Sequence, residues 1–147
     1  MNKFKLFIDI LIPVAIGGFI SLIINPYVDY NSLVQPPLSP PSIVFPIVWT
    51  ILYVLMGISY YLLKNSSKKE KIIYFVQLGV NALWSLFFFI GKFYLFSFIW
   101  IILLDVLVIF MIGIFYQNSK ISGYLQIPYL IWILFATYLN LGIYVLN

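Results

Sequence analysis

The 147-residue chain has no cysteine and no histidine, and all eight of its basic residues are lysine. Without cysteine there is no disulfide, no zinc–thiolate site and no thiol chemistry. Without histidine the commonest metal ligand and the commonest general base are missing. Charge is scarce too: 8% of residues are charged, against about 25% in an ordinary soluble domain. The net charge of +4 is scattered along the chain, so no nucleic-acid partner is expected. No Ser-His-Asp arrangement, phosphate-binding loop or metal-ligand cluster is present, which argues against hydrolase or kinase chemistry. Neither a metal nor a cofactor is expected.

What the chain has in abundance is apolar surface. Hydrophobic residues make up 64% and aromatic residues 20%, and the mean hydropathy is +1.09. These values belong to an integral membrane protein. Five apolar runs, at residues 6–24, 43–63, 72–90, 93–116 and 121–146, approach or exceed the ~20 residues a spanning helix needs. The expected fold is an all-α bundle of five transmembrane helices in one domain, residues 1–147, with a long proline-rich loop between helices 1 and 2. The basic start and first run resemble a signal peptide. No small-x-small cleavage site follows, however, and four more runs do, so helix 1 is read as retained. Lys3, Lys5, Lys64, Lys68, Lys69, Lys71 and Lys120 fall on one side of such a bundle, and Lys92 alone on the other. The positive-inside rule then puts the N-terminus in the cytoplasm and the proline loop and C-terminus outside; the expected location is a bacterial cell membrane.

Pro36, Pro37, Pro40 and Pro41 fall within six residues, and Pro46 follows closely. Proline has a fixed φ and no N–H, so this stretch is kept out of helix and stiffened. Tyr30 and Gln35 supply polar tips, and Ser39 or Ser42 is the expected N-cap of helix 2. The loop reads as a lid, and Trp49, Tyr53 and Tyr60 on helix 2 either as the wall beneath it or, as aromatic stripes more often are, as helix packing. Gly57 leaves room between these rings. Asp9 lies one turn from Lys5 and pairs with it near the interface. Gly17 and Ser21 form a small-xxx-small step, whose simplest use is packing inside the monomer, with a homodimer as the alternative.

Gln77, Asn81, Trp84, Ser85 and Phe88 fall on one continuous face of helix 3. Amides at membrane depth need partners, so this face lines either an interhelical seam or a ligand cavity. Asp105 sits mid-helix among aliphatic residues, where a carboxyl marks a functional site or a packing lock. On helix 5, Tyr129, Trp132, Ala136 and Asn140 share a face, with Pro128 positioned to kink the helix. Aromatic walls with a few polar edges suit a large, flat, amphipathic ligand.

Three stretches carry a family resemblance. They are Gln35-Pro-Pro-Leu-Ser-Pro-Pro-Ser42 with Val44-Phe-Pro46 and Val48-Trp-Thr50, then Gln77-x-x-x-Asn81-x-x-Trp84, then Pro128-Tyr-Leu-x-Trp132-x-x-Phe-Ala-Thr-Tyr-Leu-Asn140. In order, and over nearly the whole chain, they resemble the TspO/translocator family of tryptophan-rich sensory proteins and peripheral-type benzodiazepine receptors. The resemblance implies a tetrapyrrole ligand such as protoporphyrin IX, held by a sensor, carrier or regulator of porphyrin levels. Its alternatives are light- and oxygen-dependent porphyrin breakdown with Trp49 and Trp132 as reactive rings, or transport or binding of sterol or lipid. The implied ligand contacts are Tyr30, Gln35 and Pro40 in the loop, Trp49 and Tyr53 on helix 2, and Gln77, Asn81, Trp84 and Phe88 on helix 3. Asp105, Trp132 and Ala136 complete the set. Asp29 stands where the family commonly has tryptophan, and the family's C-terminal sterol pattern fails at Tyr144-Val-Leu-Asn147. Haem iron usually takes an axial His, Cys, Met or Tyr. With the first two absent, metal-free porphyrin is expected to bind at least as well as haem.

Overall fold

The structure is a computed structural model describing residues 2–147. Five helical spans are long and apolar enough to cross a bilayer. α1 (Lys3–Ile24) starts in the basic N-terminus, where the Asn2 side chain accepts from the Lys5 amide. A 3-10 turn, Asn25–Tyr27, prolongs it. α2 covers Val44–Tyr61. α3 (Lys68–Ser85) opens with a capping box between Ser67 and Glu70 and runs into a π-helical turn, Leu86–Ile90. α4 covers Tyr94–Asn118.

Two local expectations do not hold. The fifth span is broken into α5 (Lys120–Leu125) and α6 (Ile127–Leu146), with Gln126 between them. Pro128 lies in the first turn of α6, where a missing N–H costs nothing; deeper in a continuous helix it would clash with the preceding turn. The N-cap of α2 is Ile43, and no side chain caps it. The Ser39 hydroxyl instead donates to the Pro36 carbonyl at 2.8 Å, closing a turn within the loop.

Around the bundle α2 packs on α1, α1 on α3, α3 on α4, and α4 on α5 and α6; α2 meets α5 to close the ring. Two glycines set the α1–α2 approach. A Cβ on Gly57 would lie 2.5 Å from the Asp9 carbonyl oxygen and collide with Ile10 Cα, so the backbones of α1 and α2 touch there. The room that Gly57 leaves is therefore taken by α1, not by ligand space between aromatic rings. Gly17 in turn receives the Tyr53 ring. Lys5 and Asp9 form the expected ion pair at 2.5 Å. The outside of the bundle is apolar and exposed, for example Phe19, Leu22, Ile99, Phe110 and Ile131, as lipid-facing surface is. The interior is close-packed around Met56, Val108, Met111, Phe115 and Ile133.

Candidate functional site

The interior side chains of α2, α3 and α6 meet in three patches. In the first, Trp49 stacks on Tyr53 at 5.5 Å and meets the edge of Tyr129 at 6.2 Å. The Asn81 amide donates to the Tyr129 hydroxyl (2.9 Å), which donates to Gln77 Oε1 (2.7 Å). Gln77, Asn81 and Tyr129 are all buried. The i, i+4 spacing of Gln77 and Asn81 aims both amides at one hydroxyl of α6. Gln77 Nε2 has no hydrogen-bond partner among the described residues.

The second patch lies toward the end of α3. Trp84 stacks on Phe88 at 5.2 Å, and its indole N–H donates to Asn140 Oδ1 at 2.9 Å. The Asn140 amide donates in turn to the Tyr94 carbonyl at 2.9 Å. Phe88 belongs to the π turn, a local widening often found at functional positions. The third patch joins loop to helix: Tyr30 packs edge-on to Phe45 at 5.3 Å, Phe45 to Trp132 at 5.8 Å, and Trp132 tilts against Phe135 at 5.6 Å. The indole N–H of Trp132 is buried without a partner among the described residues.

The proline loop is fastened over this end of the bundle. The Tyr30 hydroxyl donates to the Pro40 carbonyl, and the Gln35 amide donates to the Tyr30 carbonyl at 2.7 Å. The Tyr138 hydroxyl donates to the Pro37 carbonyl at 2.6 Å. Asn147 accepts from the Val34 N–H and donates to the Val34 carbonyl, both at 3.0 Å. Pro36 presses on Gly142, where a Cβ would come within 2.6 Å of Pro36 Cγ.

The remaining sequence candidates are placed less centrally. Ala136 is buried on α6. Asp105 is buried on the α4–α6 seam, where Oδ2 accepts from the Thr137 hydroxyl at 2.7 Å. Its Oδ1 has no partner among the described residues, and no hydrogen bond ties it to the aromatic patches. Tyr60 stacks on Tyr74 at 4.4 Å beside Lys5, near the lysine-rich end, and does not join the wall. Phe45, Thr137 and Tyr138 stand inside the family-like stretches but are not among the contacts expected from the sequence. For Thr137 the further signal is a lone threonine in an apolar helix, as for Asp105. Among the described residues no three His, Cys, Asp or Glu side chains come together as a metal site.

This is a polytopic helical membrane protein with an aromatic and amide-lined interior beneath a strapped loop. Residues 10–146 match the family model described as the TspO/MBR family. The chain is 40% identical to a tryptophan-rich protein TspO of Archaeoglobus fulgidus, over 100% of this chain and 99% of that one. It is 34% identical to a translocator protein homolog of Schizosaccharomyces pombe (93% and 88% covered). A tryptophan-rich sensory protein of Cereibacter sphaeroides is 31% identical (92% and 87% covered). The chain belongs to the TspO/MBR family.

Proposed function

We propose that the protein binds a tetrapyrrole such as protoporphyrin IX between α2, α3 and α6, as a sensor or carrier of porphyrin. The observation that carries this reading is the convergence of the half-buried Trp49 and Tyr53 with the buried Tyr129, Gln77 and Asn81 in one patch. Flat rings stack on such faces, and the amides can hydrogen-bond polar edges. A ligand-responsive role agrees with the similarity to a tryptophan-rich sensory protein. Trp49→Phe and Trp132→Phe are expected to weaken protoporphyrin IX binding about tenfold while leaving the bundle folded, as read by Soret titration and thermal unfolding. Unchanged titrations in both variants would remove these side chains from the site. Hemin, titrated in parallel, is expected to bind no more tightly than the metal-free ring. The non-terminal methionines Met56 and Met111 are fully buried in the core. Product formed under light and oxygen would make the protein an enzyme as well as a binder.

We further propose that the N-terminus lies on the cytoplasmic side of the cell membrane. Hydrogen bonds from the Asn2 N–H to the Tyr61 hydroxyl (3.0 Å) and from the Lys64 N–H to Asn118 (2.8 Å) gather the lysine-rich segments at one end, consistent with the positive-inside rule. With no native cysteine, Asn2→Cys and Asn147→Cys are expected to be labelled from opposite faces. Labelling of Asn2→Cys from outside intact cells would invert the assignment.

A further inference from the structure

The ring of helices has one loose seam. The backbone of α2 packs closely on α5 but not on α6. Between α2 and α6 lies a groove of about 600 Å³, lined by Val48, Ile51 and Leu55 on one side and Pro128, Ile131 and Trp132 on the other. Its rims, Ile51 and Ile131, are 55% and 63% exposed. They lie mid-helix in spans that cross the bilayer, so this opening faces hydrocarbon rather than water. The groove volume is within the roughly 300–1,000 Å³ of small-molecule sites.

The opposite approach, through the loop, is shut. Opening it breaks the Tyr138–Pro37 hydrogen bond and both Asn147–Val34 hydrogen bonds and lifts Pro36 from Gly142. Trp132 lines the groove and packs against the core, and its indole is held differently from those of Trp84 and Trp100. The indole N–H groups of Trp84 and Trp100 are tied to Asn140 and to the Val80 carbonyl at 2.9 and 2.8 Å. That of Trp132 is tied to nothing among the described residues. Only ring packing against Phe45 and Phe135 holds it, so turning it breaks no hydrogen bond and frees a donor for the polar edge of an arriving ligand.

We infer that flat amphipathic ligands reach the interior from the bilayer, their apolar rings passing laterally between α2 and α6, and that Trp132 is the side chain that turns to admit them. This rests on the reading that the interior binds such a ligand. A molecule partitioned into hydrocarbon is already concentrated at this seam, and a wholly apolar lip lets it pass without desolvating any polar group of the protein.

The absence of cysteine allows two cross-links to be compared in liposomes. Ile51→Cys/Ile131→Cys, bridged by a short bismaleimide, closes the groove; Val34→Cys/Asn147→Cys, bridged the same way, locks the loop to α6. Vesicles loaded with protoporphyrin IX are mixed with each protein, and quenching of tryptophan fluorescence gives the rate of uptake. Closing the groove is expected to slow uptake at least tenfold, while protein loaded before bridging retains its porphyrin. Locking the loop is expected to leave the rate within twofold. Ile51→Trp, a single change at an exposed position that narrows the same groove, should slow uptake without a cross-link. Slowing by the loop bridge, or an unchanged rate with both the groove bridge and Ile51→Trp, overturns the lateral route. Failure of the unmodified protein to bind protoporphyrin IX at all would instead remove the binding reading, and the route with it.

Discussion

Gly57→Val is expected to unseat α1 from α2 and to be among the most destabilising single changes in the protein. The added Cβ would sit 2.5 Å from the Asp9 carbonyl oxygen and overlap Ile10 Cα. Both are backbone atoms, so no rotamer change relieves the clash and the helices must move apart. Overpacking of this kind costs about 1–3 kcal/mol and sometimes more, and a backbone obstacle places Gly57→Val at the upper end. The displacement also disturbs the Tyr53 ring seated on Gly17, and with it the Trp49 stack. Porphyrin binding should therefore fall along with stability. Gly79→Val is the control, because nothing lies within 4 Å of the Cβ it would add, and valine is a better helix former than glycine. Thermal unfolding in nanodiscs should show a large drop for Gly57→Val and none for Gly79→Val. Equal midpoints would contradict the close α1–α2 contact.

Tyr129→Phe carries the second large effect. The Tyr129 hydroxyl accepts from Asn81 and donates to Gln77, and the residue is 1% exposed. Removing one oxygen leaves the Asn81 donor and the Gln77 acceptor without these partners, and Gln77 Nε2 is already unpartnered. An orphaned buried polar group costs about 1–3 kcal/mol, whereas hydrogen bonds within membrane bundles average about 0.6 kcal/mol. Two lost bonds therefore predict roughly 1–3 kcal/mol. The same asymmetry predicts a rescue: Gln77→Leu in the Tyr129→Phe background removes one orphaned amide and should recover part of the loss. If the double variant is less stable than Tyr129→Phe by the full cost of Gln77→Leu alone, the two residues are not coupled as the geometry requires.

Much of this was legible in the sequence, for particular reasons. The five spans follow from runs of apolar residues, which burial in lipid demands whatever the neighbours are. The face carrying Gln77, Asn81 and Trp84 follows from helical periodicity, and Lys5 with Asp9 from one-turn spacing. Each of these is a local regularity, readable from one helix at a time.

The partners on other helices were not readable in that way. Gly57 looked like space between aromatic rings, but that space belongs to the α1 backbone. Ser39 looked like a cap, but its hydroxyl is closer to the Pro36 carbonyl. Tyr129 and Asn140 stood on the right face of the fifth span, yet nothing local said that one would gather the amides of Gln77 and Asn81 and the other the indole of Trp84. The sequence by itself determined a five-span membrane protein of the TspO/MBR family with its amides and rings turned inward. Only the tertiary structure decided which side chains share a hydrogen bond, where α2 and α6 part, and which indole N–H is buried without a partner. Those outcomes depend on the distance and rotation between helices, and packing around the whole ring settles both at once.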